Sequence, residues 1–430
     1  MKRFAYIAMI IFGIFAIVGT GISCKREMFD EEKYDTLIKI VSPVDTVDPN
    51  HTWTLTASKT FTVTVNAGVG TKKLQILDLN PMASSSAHVI AQIDAEEGDR
   101  VSLNVCYPLV RDVLFAAAVD ADGKYTIASF KISGDEADFS NTLVLQQELL
   151  YTPSPQYHAF CYEQEFPEPG DYDYNDVVMH IALERASAKE MYVRVRLAAV
   201  GGDQQLAGCI RLPEFGYNEI DTVYTVNDDS FNKDITDQYL VVQKDLSLLL
   251  KGRSGEPILN LFADAHWATG DVLNADFGTF QRKKYNVTKQ SDSKSQLMVP
   301  REIIFVIRSK SESRLNEMAL DNIDPFIIKG YNGANMEVHT FPYRKVKALN
   351  DYNYIEVDNL PWALAIPTGA FCHPLDGVNM GFRLKGQNTQ YLFGAYAKKG
   401  NSFGEWSMNH NSCLNWYEPE FATANQVFIW

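Results

Sequence analysis

The stretch that most constrains the fold is HTWTLTASKTFTVTVNAG, residues 51–68. From 52 to 66 every even position is Thr, Ser or Asn. The odd positions are Trp53, Leu55, Ala57, Lys59, Phe61, Val63 and Val65. Successive side chains of a strand point to opposite faces, so this pattern makes one apolar and one polar face and predicts a β-strand over 52–66. Further short runs follow at 73–77, 88–93, 100–105, 113–119 and 126–132. Turn residues separate them, among them Glu97-Gly98-Asp99 and Asp122-Gly123-Lys124. Short strands at this spacing predict an Ig-like β-sandwich over 51–150. The 12% aromatic share suits half-buried sheets.

Tyr151-Thr152-Pro153-Ser154-Pro155 reads as a linker. Beyond it, 177–184 and 191–200 alternate and predict two antiparallel strands joined near 186–189. More strands are expected at 302–307, 326–328 and 354–357, helices at 234–250 and 310–320, and a polar exposed loop at 281–296. A chain of 430 residues exceeds one ordinary core. The predicted fold is mainly β: the sandwich, then a larger β-rich domain over 156–430 with few short helices.

The N-terminus, MKRFAYIAMIIFGIFAIVGTGISC, places Lys2 and Arg3 before an apolar run that ends in small residues and Cys24. That order is the pattern of an export signal, and the apolar run falls short of the about 20 residues of a membrane span. Gly21-Ile22-Ser23-Cys24 resembles a bacterial lipobox, which implies a signal peptide over 1–23, acylation of Cys24 and an outer-membrane lipid anchor. Residues 24–50 read as a tether. Its start, Cys24-Lys25-Arg26-Glu27 and then Asp30-Glu31-Glu32, resembles the surface-export signals of some Gram-negative lipoproteins. The cell surface is therefore the expected location, with the periplasmic face as the alternative.

A formal net charge of −15 argues against a nucleic-acid partner, which needs clustered Lys and Arg. The five cysteines after Cys24 form no CxxC pair and no zinc framework; they read as buried structural residues. There is no GxSxG, HExxH or P-loop motif.

The densest chemistry lies in PEPGDYDYNDVVMHI, residues 167–181. Asp171, Asp173, Asn175 and Asp176 fall within six residues. Calcium takes about six to eight oxygen ligands, and alternate Asp and Asn side chains supply them well. Asp171-x-Asp173-x-Asn175 matches the first half of an EF-hand loop. The second half does not: Asp176 stands where the loop needs Gly, and Ala182 where it needs Glu. Asp and Asn also bond local backbone N–H groups in tight turns. A calcium turn and a self-capped turn both fit, and catalytic carboxylates would need positioned partners that the sequence does not display. Asp264, His266 and His339 are further candidates for catalysis or metal binding, against a packed role. Trp362, Trp406, Trp416 and Tyr417 suit either a sugar-stacking face or a core.

The block from Tyr162 to Val178, with Glu163-Gln164-Glu165 and Gly170-Asp171-Tyr172-Asp173-Tyr174-Asn175-Asp176, resembles the signature of the LruC-type domain. Asp324-Pro325-Phe326-Ile327 with Glu337-Val338-His339 is similar to that family's middle block. Leu360-Pro361-Trp362-Ala363, Pro374-Leu375-Asp376, Phe403-Gly404-Glu405-Trp406-Ser407 and Trp416-Tyr417 are similar to its C-terminal block. The resemblance covers about 156–430. It implies an exported or surface-associated lipoprotein with no catalytic role. Gln164 replaces an acidic residue of the pattern, and Asp376 replaces a Glu. Glu163 is retained and is the expected ligand outside the turn. The function expected is a non-catalytic surface binding or adhesion module for a glycan or surface protein, with a calcium-stabilised turn. A structural part of a pilus-like assembly or polymer, or a glycan-processing enzyme, is the alternative.

Overall fold

The structure, a computed structural model, describes residues 47–166, 170–231, 247–269, 283–289, 297–329, 336–343, 360–381 and 394–430. The signal peptide, Cys24 and the tether up to 46 lie outside the described residues, as does the strand expected at 354–357.

Eight strands build the N-terminal part: β1 (Thr56–Thr64), β2 (Thr71–Leu77), β3 (Val89–Asp94), β4 (Arg100–Pro108), β5 (Val113–Asp120), β6 (Tyr125–Lys131), β7 (Glu136–Ala137) and β8 (Thr142–Gln147). They form one sheet ordered β4-β1-β7 and another ordered β3-β2-β5-β6-β8. β1 pairs with β4 in the first sheet while β2 pairs with β5 in the second. This interlocked pairing is that of an Ig-like sandwich. The alternation of β1 sends Phe61, Val63 and Val65 into the space between the sheets, against Leu74, Leu103 and Leu114.

The strand is shorter than its pattern. Trp53 has φ 53°, a left-handed conformation that cannot continue a ladder, so β1 begins at Thr56. The Trp53 ring instead enters a second core, 5.3 Å from the ring of Trp406. His51 stacks on Trp53 at 3.9 Å, and Asp48 accepts from His410 Nδ1 at 2.6 Å. The last residues of the expected tether are thus docked on the C-terminal part.

That part contains β9 (His158–Tyr162), β10 (Val177–Ser187), β11 (Glu190–Ala199), β12 (Leu206–Arg211), β13 (Ile220–Thr225), β14 (Leu249–Lys251), β15 (Pro257–Phe262), β16 (Glu302–Ser309), β17 (Asp324–Lys329), β18 (Met336–His339) and β19 (Ala363–Ile366). Among the described residues three short helices join them: α1 (Ala265–Ala268), α2 (Glu312–Asn316) and α3 (Phe403–Met408). One sheet runs β13-β16-β11-β10-β9-β19 and the other β14-β15-β12-β17-β18. The core between them includes Met179, Ile181, Val195, Ile210, Leu261 and Phe305.

The opposite face of the six-stranded sheet is also covered where Val178, Cys161 and Leu364 meet Tyr172, Tyr174, Phe403, Trp406 and Trp416. Trp416 packs edge-on against Tyr396 and Phe403 at 5.1 and 5.2 Å. Trp416→Ala is expected to cost about 3–5 kcal/mol of stability, read as a lower urea midpoint. Trp362, Trp406, Trp416 and Tyr417 are all buried, so they are core and not a stacking face.

Two sequence expectations are corrected. The helix expected over 234–250 is strand at its described end, where β14 pairs with β15. The loop expected at 281–296 is not exposed at Asn286: its amide donates to the carbonyls of Ala198 and Met298, both at 2.8 Å, and the residue is buried. The helix expected over 310–320 is present as the shorter α2. Cys106, Cys161 and Cys209 are buried, and Cys372 and Cys413 are half-buried.

Candidate metal centre

β9 and β10 are antiparallel neighbours, with Tyr162 opposite Val177. Glu163 and Asp176 therefore stand side by side just beyond the paired residues. Between them the chain makes a turn in which Tyr172 and Tyr174 take φ 59° and 52°. Two left-handed residues with bulky side chains are costly, of order 1–3 kcal/mol each. Their surroundings over-determine them. Both rings are buried in the aromatic core, and the Tyr174 hydroxyl donates to the Pro361 carbonyl at 2.8 Å. The Met380 N–H donates to the Tyr172 carbonyl at 2.9 Å. With the alternate tyrosines committed to the core, the alternate acids gather around Glu163.

Glu163, Asp173 and Asp176 are 0%, 2% and 7% exposed, whereas Asp171 keeps solvent contact. Glu163 Oε1 accepts from the Tyr174 N–H at 2.6 Å. Asp173 accepts from the N–H groups of Asn175 and Gly377, at 3.1 and 2.7 Å. Asp176 Oδ2 accepts from the Gln164 N–H at 2.6 Å. The self-capping expected of such a turn is thus present, but it is incomplete. Glu163 Oε2, Glu165 Oε2 and Asn175 Oδ1 are buried with no hydrogen-bond partner. Burial, and then the charges of the neighbouring carboxylates, push the carboxyls of Glu163, Asp173 and Asp176 well above the usual carboxylate range. Of the nearby amines, Lys284 pairs with Asp376 at 2.7 Å and Lys329 donates to the Gln164 carbonyl.

These features fit a hard cation. The clustered donors are carboxylate oxygens, with no His or Cys among them, which suits calcium or magnesium and not zinc or copper. Glycines keep the oxygens accessible. A Cβ at Gly170 would stand 2.0 Å from Glu163 Oε2, and one at Gly201 would stand 2.0 Å from Asn175 Oδ1. Gly201→Ala is expected to cost about 1–3 kcal/mol by overpacking and to weaken cation binding, both measurable by melting with and without calcium.

Of the five expected ligands, Glu163, Asp171 and Asp173 are brought within reach of one another, Asp176 is within reach of Glu163, and Asn175 has an unpartnered oxygen at the same turn. Glu165 is a further member that sequence reasoning passed over, although it sits two residues after Glu163. Gln164, read from the sequence as a lost ligand, has a different task. Its Nε2 donates to Asp203 at 2.9 Å, and its Oε1 accepts from the N–H groups of Asp203 and Gln204. It clamps the 201–204 loop against the acidic cluster.

The histidine candidates lie elsewhere. Asp264 caps α1, and the His266 ring nitrogens face the Lys283 and Gly202 carbonyls at 2.9 and 3.0 Å. His339 stands between Asp324 and Glu337, at 2.9 and 3.0 Å. The two carboxylates outweigh burial and raise its pKa, which favours the charged imidazole. Arg211 joins the same buried network, 2.9 Å from Glu337 and 3.3 Å from Asp324. It ties β12 to β17 and β18, a structural part in the sheet.

Residues 187–384 match a family model described as a domain of unknown function, DUF4842. A solved structure described as a "Putative lipoprotein from Bacteroides ovatus" aligns with a TM-score of 0.51 and 14% identity, covering 84% of this chain and 100% of that one. At that identity the likeness is one of fold. No curated protein matches. Among the described residues no helix is long and apolar enough to cross a membrane.

Proposed function

We propose that this chain is a cell-envelope lipoprotein of the LruC type, a non-catalytic surface binding or adhesion module whose acidic turn is held by calcium. The observation that carries the calcium reading is Glu163 Oε2: fully buried, without a hydrogen-bond partner, and surrounded by other carboxylates. A lone carboxylate in that position is expensive, and a divalent cation supplies the missing ligand–charge contact. The ion would fix the 170–176 turn between the six-stranded sheet and the aromatic layer. No catalytic role is assigned, because Glu163 and Asp173 are buried and both make backbone hydrogen bonds that hold the turn.

The anchor rests on Cys24 and the apolar run before it, and the neighbour's printed description is in keeping with it. Membrane fractionation tests this part. Wild-type protein is expected in the membrane fraction, and Cys24→Ala in the soluble one. Protease added to intact cells is expected to remove the wild type; full protection would contradict the surface location. A glycan array then screens the ligand class.

A further inference from the structure

We infer that the acidic centre holds two divalent cations bridged by Glu163, an inference that rests on the calcium reading above. Carboxylate oxygens of Glu163, Asp171 and Asp173 lie within 4.8 Å of one another. Oxygens of Glu163, Glu165 and Asp176 do so as a second set. Glu163 alone belongs to both. A calcium ion holds its oxygens at about 2.3–2.6 Å, so opposite ligands stand about 5 Å apart at most. Each set is no wider than one calcium shell, and the two sets meet only at Glu163. Five carboxylates meet here, more negative charge than one divalent ion and the nearby amines offset.

The unpartnered oxygens point the same way. Glu163 is fully buried and holds its position through Oε1, which accepts from the Tyr174 N–H, while Oε2 has no hydrogen-bond partner. Glu165 Oε2, in the second set only, is also without one. Asn175 Oδ1, on a side chain 1% exposed, adds a third such oxygen at the turn. The two positions differ in access. The ion on Asp171 and Asp173 has a solvent-facing ligand and completes its shell with water; the ion on Glu165 and Asp176 is more enclosed.

Equilibrium dialysis of the chain from residue 24 onward, stripped with chelator and titrated with radioactive calcium, tests this. Two ions per chain are expected. Asp171→Asn and Glu165→Gln are each expected to bind one, and the double variant none. Melting of each variant in chelator confirms that it folds. Two ions in the wild type with one in each single variant supports the bridged pair. One ion in the wild type, lost together in both variants or retained in both, overturns the pair and leaves the calcium reading standing. No bound calcium overturns both.

Discussion

Calcium is expected to raise the melting temperature of the chain from residue 24 onward by roughly 10 °C over the same protein in chelator at pH 8. A ligand at a thousand-fold excess over its Kd stabilises by about 4 kcal/mol. In a domain of about 150–250 residues each kcal/mol is worth about 2–4 °C, and the part over 156–430 falls at the low end of that range. The increment should depend on pH in a definite direction. Burial and neighbouring charge raise the carboxyls of Glu163, Asp173 and Asp176 in the folded chain. A raised folded-state pKa gives stability that is complete below the unfolded value and is lost as pH rises through the folded one. The metal-free protein therefore weakens toward alkaline pH, while calcium holds the ionised form. The calcium increment should be small near pH 5 and large near pH 8. Glu163→Gln should remove most of it, yet melt no lower than the wild type in chelator at pH 8, since it deletes a repelled charge. Identical melting with and without calcium at both pH values would contradict the metal centre.

Arg211→Met is expected to cost about 3–5 kcal/mol, because removing one partner of a buried ion pair leaves the others uncompensated. Arg211, Asp324 and Glu337 are all buried, and the guanidinium also lies 4.7 Å over the Phe326 ring. The loss should appear as a lower urea midpoint with calcium stoichiometry unchanged; a loss under about 1 kcal/mol would show the network to be dispensable. The same network gives a second pH signature. Burial disfavours the imidazolium of His339, but the Asp324 and Glu337 carboxylates override it and raise its pKa. Its contribution is complete below the ordinary histidine value and is lost as pH rises through the folded one. Measured at saturating calcium, the stability gap between wild type and His339→Gln should shrink from pH 6 to pH 9.

How far the sequence reveals this molecule depends on how many faces a strand buries. β1 and β11 were legible because each alternates over much of its length. Strands such as β12, Leu-Ala-Gly-Cys-Ile-Arg, are buried at every position, so they carry no period of two. β15 was missed for the same reason, and β18 and β19 have only four residues each. Trp53 shows the converse failure: it keeps the alternation in sequence while a left-handed backbone sends its ring into another core.

The acidic cluster was legible as a density of candidate ligands and not as a geometry. Asp171, Asp173, Asn175 and Asp176 were evident from their density, and Glu163 from the resemblance. Glu165 was not, because no local pattern tells which of two nearby acids turns inward. Nor could the sequence show that Tyr172 and Tyr174 hold the turn by anchoring in the core, or that Gln164 clamps a loop.

The most direct test of the calcium centre is a crystal structure of the chain grown with calcium and inspected for anomalous scattering at the turn. The expected result is density within about 2.3–2.6 Å of Glu163 Oε2, with further carboxylate oxygens at the same distance. A turn free of anomalous density, with Glu163 Oε2 bonded to a protein donor instead, would contradict it.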